Sequence, residues 1–287
     1  MDAALESFVT RATGAGGVER VERIQTLWGG YGRLLRAHLR GGTRAALIVK
    51  HVIAPPATSL GHRRKLRSYR VEQAFYARYA ERCPSGARVA AHLGQAHEHD
   101  SFVLLLEDLD AAGFSRRMRD PRGAELDVCL GWLAAFHAAF LHTAPEDLWE
   151  EGSYWHLATR PEELAAIAGT ALHARAPEND RRLRDARHRT LIHGDAKPAN
   201  FCFRADGRAV AAVDFQYVGG GTGMRDVAYL LHGLPSGEAT RALDVYFARL
   251  RASISKEIDV GAVESEWRAL YPVAVEDFER FVAGWRG

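Results

Sequence analysis

The chain is poor in the features that mark a secreted, disulfide-stapled or membrane-spanning protein. Its three cysteines, Cys83, Cys129 and Cys202, are odd in number and far apart, so they make neither a disulfide framework nor a zinc spacing. That scarcity favours a reducing compartment. Long apolar runs are missing too: the best candidate, residues 128–141, contains His137 and falls short of the roughly 20 residues that a spanning helix needs. The run Met1-Asp2-Ala3-Ala4-Leu5-Glu6 is acidic where a secretion signal needs basic and then apolar residues. A cytoplasmic protein is expected. An excess of one charge is also lacking. The formal net charge is +2, which calls for neither nucleic acid nor a membrane as partner. Two short basic runs, residues 62–67 and 181–184, read as solvated helix faces.

The ordinary mixture that remains, 47% hydrophobic and 26% charged, can bury a real core in one large domain or two lobes. A short helix is expected at residues 3–13, ended by Gly14-Ala15-Gly16-Gly17. Strand-like runs follow at 21–28, 33–39 and 45–52, separated by Gly29-Gly30-Tyr31-Gly32 and Gly41-Gly42, the pattern of an antiparallel sheet with hairpin turns. Apolar residues at three- and four-residue steps predict a helix over 66–82, and two further strands are expected at 89–95 and 101–106. Beyond Glu107-Asp108-Leu109 the pattern turns helical, at 125–142, 161–175, 224–233, 238–257 and 262–285. A sheet-rich first third joined to a helix-rich remainder implies a cleft between two unequal lobes, a common place for small-molecule sites.

The densest chemistry lies in one stretch. A strand, Thr190-Leu191-Ile192, leads into His193-Gly194-Asp195-Ala196-Lys197-Pro198-Ala199-Asn200, and a second, Val210-Ala211-Ala212-Val213, delivers Asp214-Phe215-Gln216. Phosphoryl transfer needs such a set: a carboxylate at the acceptor hydroxyl, and a carboxylate and an amide oxygen on Mg²⁺, held on rigid hairpin ends. Asp195 is the candidate for the hydroxyl, Asn200 and Asp214 for the metal, since hard Mg²⁺ prefers oxygen. Lys197 is placed to offset charge on the transferring phosphate.

This stretch resembles the H-G-D-x-x-x-x-N loop of the aminoglycoside phosphotransferase and choline kinase superfamily. It also looks like the H-R-D-x-K-x-x-N loop of protein kinases, with Gly194 in place of the arginine. Asp214-Phe215-Gln216, the later Arg225-Asp226-Val227-Ala228-Tyr229-Leu230-Leu231, Glu72-Gln73-Ala74-Phe75-Tyr76 and Leu106-Glu107-Asp108-Leu109 look most like the ecdysteroid-kinase-like branch. The resemblance spans residues 21–232 and implies an α+β, two-lobed protein-kinase-like fold. Residues 1–106 would form a nucleotide-binding lobe, 107–109 a hinge, and 110–287 a helical lobe with the acceptor site. It implies ATP and Mg²⁺ as cosubstrate and metal, and a small-molecule hydroxyl as acceptor.

The same resemblance implies that Lys50 holds the α- and β-phosphates with Glu72 as its ion-pair partner. Glu107, Asp108 and Leu109 would present backbone groups to adenine, and Asp226 would brace the His193 loop from below. His193 is expected to orient that loop rather than act as a base. Gly29, Gly30 and Gly32 either let backbone N–H groups approach the phosphates or make a plain hairpin turn. Trp155 and His156, with Trp149 and Tyr154, either line the acceptor pocket or belong to the core. A nucleotide-binding pseudokinase is the alternative function; a histidine-based metal hydrolase, suggested by His92, His97 and His99, lacks a helical H-E-x-x-H.

Overall fold

Helix α1 (Ala3–Thr13) begins where Asp2 accepts the Leu5 N–H at 2.8 Å and stops at Gly14, whose φ of 67° suits a left-handed cap. The computed structural model describes residues 1–286. Three antiparallel strands follow: β1 (Gly17–Thr26), β2 (Gly32–Arg40) and β3 (Ala46–Ile53). Strand β1 starts earlier than its apolar pattern suggests, because its mostly exposed residues give a poor burial signal and two irregularities in its pairing with β2 blur the alternation.

Helix α2 (Leu60–Arg78) is capped by the Ser59 hydroxyl, which accepts the His62 N–H at 3.1 Å. It therefore starts six residues before the expected boundary, and the basic run 62–67 forms its first turns. Strand β4 (Arg88–Val89) is brief; β5 (His92–Glu98) and β6 (Ser101–Glu107) complete a five-stranded sheet in the order β1-β2-β3-β6-β5. Strand β6, paired on both sides by β3 and β5, carries the apolar run Phe102-Val103-Leu104-Leu105-Leu106, of which Phe102, Leu104, Leu105 and Leu106 are buried.

The remainder is mostly helical, giving the expected α+β arrangement. It comprises β7 (Arg116–Arg117), α3 (Ala124–Ala139), α4 (Pro161–Ala166), α5 (Ala171–Arg184), β8 (Thr190–Ile192), β9 (Phe201–Phe203), β10 (Val210–Ala212), β11 (Gly219–Gly221), α6 (Met224–Leu230), α7 (Ser236–Ser253) and α8 (Val260–Arg286). Where one helix was expected at 161–175 there are two, because Gly169 takes φ +83° and Thr170 starts a new helix by accepting the His173 N–H at 3.2 Å. Two small sheets hold the loops in place, one ordered β4-β10-β9-β7 and one pairing β11 with β8. Strand β4 pairs in parallel with β10, so the segment just before β5 is stitched to the helical part.

The main core runs between α2, α3 and the short hairpin β9–β10. Phe215 is its hub, fully buried and stacked on Phe75 of α2 with ring centroids 3.9 Å apart. It also meets Tyr76 edge-on at 5.8 Å and lies 4.6 Å from the His193 ring. Truncating it would leave a cavity between three elements. Phe215→Ala is expected to cost about 3–5 kcal/mol of unfolding free energy, measurable by denaturant titration; a loss below about 1 kcal/mol would contradict the hub role.

Candidate functional site

Between the five-stranded sheet and the helical part lies a cavity of about 640 Å³. Leu27, Leu34, Ile48, Ala90, Leu106 and Val213 give it apolar walls, while Lys50, Lys65, Lys197, Asn200 and Asp214 supply charge and polarity. A cavity with both characters suits a ligand that is part planar and apolar, part charged.

The loop after β8 is fixed by Asp226 on α6. The two carboxylate oxygens of this fully buried residue accept the backbone N–H groups of His193 at 2.6 Å and Gly194 at 2.9 Å. His137 of α3 adds a third contact at 3.1 Å through Nε2, and its Nδ1 meets the Tyr246 hydroxyl at 2.8 Å. Gly194 has φ +77°, and a Cβ there would lie 2.0 Å from the Tyr217 carbonyl oxygen, so no other residue fits. His193 accepts the Asp195 N–H on Nδ1 at 3.2 Å and donates from Nε2 to the Val213 carbonyl at 3.0 Å. Both nitrogens are spent on holding the loop against the strand that ends in Asp214.

Asp195 is 4% exposed. Its Oδ2 accepts from Lys197 Nζ at 2.8 Å and Asn200 Nδ2 at 3.0 Å, and Oδ1 has no protein partner. Burial raises its carboxyl above the usual aspartate value, against the pull of Lys197. Asn200 Nδ2 also donates to the Asp195 carbonyl at 2.8 Å, which leaves its Oδ1 as the end not engaged with Asp195.

Asp214 adopts φ +68°, a conformation that costs free energy for a non-glycine residue and is held here by its surroundings. Its Oδ1 receives Gln216 Nε2 at 2.6 Å and lies 3.4 Å from Lys50 Nζ. Burial works to raise its carboxyl, but Lys50, Lys197 and Lys65 outweigh it and hold the group at about 2. Lys50 on β3 pairs with Glu72 on α2 at 2.6 Å, both side chains buried. Burial opposes the Lys50 charge, yet Glu72 and Asp214 together raise the amine above its ordinary value. Burial raises Glu72 against the pull of Lys50.

Lys50, Glu72, Lys197, Asn200 and Asp214 thus converge on one cavity, with Asp195 beside them through Lys197 and Asn200. Glu107, Asp108 and Leu109 also line it. The Glu107 carboxylate is tied to Arg88 at 2.5 Å and the Ala91 N–H at 2.9 Å, and Asp108 is locked to Arg36 at 2.6 Å. Backbone is what these two can offer a ligand.

Other candidates lie apart. Gly29, Gly30 and Gly32 are not among the lining residues; the β1 residues Glu22 to Gln25, and Leu27 just after that strand, are. Gly29 and Gly30 take φ near +70° in the turn Trp28–Gly30, and Gly32 lies against β3, where a Cβ would meet the His51 carbonyl oxygen at 2.1 Å. Chain reversal and close strand packing account for these glycines. Trp155 is fully buried against Tyr229 and Phe278, each 4.9 Å away, so it belongs to the core. His156 Nε2 is 3.5 Å from Asp180 and faces a separate depression lined also by Glu151, Arg184 and Arg189. Two tyrosines also lie by Asp195: Tyr229, whose phenol is pushed up by burial and then by that carboxylate, and Tyr154, whose N–H donates to the Gly194 carbonyl at 2.7 Å.

Lys65, in the basic run expected to be a solvated helix face, instead points into the cavity, with Nζ 3.2 Å from Gln216 Oε1 and 5.1 Å from the Tyr69 ring. Burial, then Lys50, lower its amine below the ordinary lysine value. Its spacing of seven from Glu72, two helical turns, was the available signal. Arg67 in the same run stacks over Trp149 at 4.2 Å.

Known proteins agree with this architecture. No curated protein sequence matches the chain, but many solved structures do. Macrolide 2'-phosphotransferase MphH from Brachybacterium faecium is 16% identical, with 98% of this chain and 95% of that one covered and a TM-score of 0.55. The AMP-bound spectinomycin phosphotransferase APH(9)-Ia is 11% identical over 97% and 93%, also at 0.55. A Plasmodium vivax ethanolamine kinase is 11% identical over 94% and 78%, at 0.52. At these identities the likeness shows the fold. The family profile of the phosphotransferase enzymes, APH, matches residues 24–263. The chain belongs to that phosphotransferase enzyme family.

Proposed function

We propose that the chain is an ATP- and Mg²⁺-dependent kinase that moves the γ-phosphate onto the hydroxyl of a small molecule. One observation carries the reading: Asp214 lines the cleft and Asp195 stands beside it, hydrogen-bonded to the lining residues Lys197 and Asn200, with the two carboxyls shifted in opposite directions, one raised and one held at about 2. Divergent environments for two carboxylates are how a site assigns one to proton transfer and the other to charge. The AMP held by the spectinomycin enzyme and the matching of an apolar and a charged end in the cavity support a nucleotide here.

Asp214 and the free Oδ1 of Asn200 form an all-oxygen donor set, which suits Mg²⁺. Bound there, the metal would neutralise charge on the phosphates. Asp195 takes the acceptor proton on its unpartnered Oδ1. The acceptor oxygen bonds to the γ-phosphorus as the bond to the β–γ bridging oxygen breaks, and ADP leaves. Lys197 offsets charge on the moving group and Lys50, oriented by Glu72, holds the other phosphates. His193 positions the loop. Residues 1–106 serve as the nucleotide lobe, 107–109 as the hinge and 110–287 as the acceptor lobe.

Macrolides, spectinomycin and ethanolamine are named for the structural neighbours, and the Asp214-Phe215-Gln216 and Arg225-Asp226 motifs favour the ecdysteroid-kinase-like branch, so a sterol-like alcohol, a sugar, an aminoglycoside or an amino alcohol is the acceptor class. Among the described residues no helix is long and apolar enough to cross a membrane. The pseudokinase alternative is disfavoured because Lys50, Asp195, Asn200 and Asp214 are all in place.

Asp195→Asn is expected to abolish transfer while leaving MgATP affinity within about twofold, and Asp214→Ala to weaken MgATP by about tenfold or more, read by calorimetry. Unchanged turnover in Asp195→Asn would contradict the assignment. Stability gives a second test. A carboxyl raised by burial costs stability once it ionises, so that cost is present at pH 7 and absent below about 4, where it is protonated folded and unfolded alike. Without nucleotide, Asp195→Asn should melt no lower than wild type at pH 7, with the gap closing on acidification.

A further inference from the structure

Three lysines point into the cavity, and two of them have carboxylate partners. Lys50 pairs with Glu72 at 2.6 Å and Lys197 with Asp195 at 2.8 Å. Lys65 has none: among the described residues its amine makes no ion pair, and its hydrogen bond runs to the neutral Gln216 Oε1 at 3.2 Å. Asp214, Glu72 and Asp195 attract it only from beyond ion-pair distance, so a cation buried near Lys50 gains when an anion arrives to pair with it directly.

The amide of Gln216 makes the arrangement specific. Its Oε1 accepts from Lys65 and, at 3.0 Å, from the buried Ser68 hydroxyl; its Nε2 donates to Asp214 at 2.6 Å. One side chain therefore sets Lys65 on one flank and the Asp214 carboxylate on the other. Ser68 already ties α2 to Gln216, so Lys65 is not needed as a strut. Its position seven residues before Glu72 puts both side chains on the helix face turned to the cleft.

We propose that Lys65 binds the γ-phosphate of the nucleotide, a second phosphate-holding cation on α2 that complements Lys50 on β3. This rests on the kinase reading above. Lys50 then serves the inner phosphates and Lys65 the outermost one, beside the metal ligand Asp214.

The test is calorimetric titration of the full chain with a non-hydrolysable ATP analogue and with ADP, each with Mg²⁺, for wild type, Lys65→Met and Lys65→Arg. Lys65→Met should bind the analogue about tenfold more weakly, the loss of one charge-assisted hydrogen bond, and ADP within about twofold of wild type. Lys65→Arg should regain most of the loss. Equal weakening for ADP and the analogue, together with a lowered melting temperature, would make Lys65 a strut and overturn the proposal. Unchanged affinity in Lys65→Met for both nucleotides would overturn it alone. Wild type that binds neither nucleotide would overturn the kinase reading and this one with it.

Discussion

Two backbone N–H groups converge on a single carboxylate, that of Asp226, and the geometry of the site follows from them. Such groups have little conformational freedom and are buried here, so a buried acceptor that meets both sets the direction in which the chain leaves β8. Gly194 makes the constraint rigid, because any side chain would strike the Tyr217 carbonyl. The loop then closes on itself through His193, whose ring bridges the Asp195 N–H and the Val213 carbonyl. Asp195 and Asp214 are thereby held relative to each other by one imidazole ring between two backbone groups.

The second layer is electrostatic. The cleft gathers Lys50, Lys65 and Lys197 with Glu72 and Asp214, and Asp195 beside them, three cations and three anions whose like members would repel without a fixed pairing. Ion pairs at 2.6 and 2.8 Å settle two lysines, and Gln216 spaces the third from Asp214. Phe215, between Asp214 and Gln216, anchors this array in the core by stacking on Phe75 of the helix that carries Glu72. Packing and charge therefore act through the same three residues. A preorganised cleft of this kind suits a reaction in which positioning and charge compensation supply most of the rate.

Much of this was legible from residues alone, and the reasons differ by element. The strand-loop-strand around Asp195, Asn200 and Asp214 was readable because its parts are close in sequence and its turn residues have few conformations. The antiparallel sheet was readable from its glycine breaks. Helix α2 was placed too late, since its first turns are basic and only the Ser59 cap marks their start. For the same reason Lys65 was read as surface: charge in a helix says nothing about which face it occupies until the helix is packed. Trp155 and His156, adjacent in sequence, face a buried aromatic cluster and a separate charged depression. Gly32 illustrates a further limit, for its requirement is set by the His51 carbonyl on the far side of a hairpin.

The acceptor is the part of the chemistry that no local motif encodes. The groups around Asp195, Tyr154 and Tyr229 among them, come from distant segments and are shaped by tertiary packing. The most direct measurement is an experimental structure of the chain with Mg²⁺, a non-hydrolysable ATP analogue and a hydroxyl acceptor. The proposed chemistry requires the acceptor oxygen within about 2.6–3.2 Å of Asp195 Oδ1, with Asn200 and Asp214 on the metal. An analogue bound outside the cavity between Lys50 and Lys197, or an acceptor hydroxyl remote from Asp195, would contradict it.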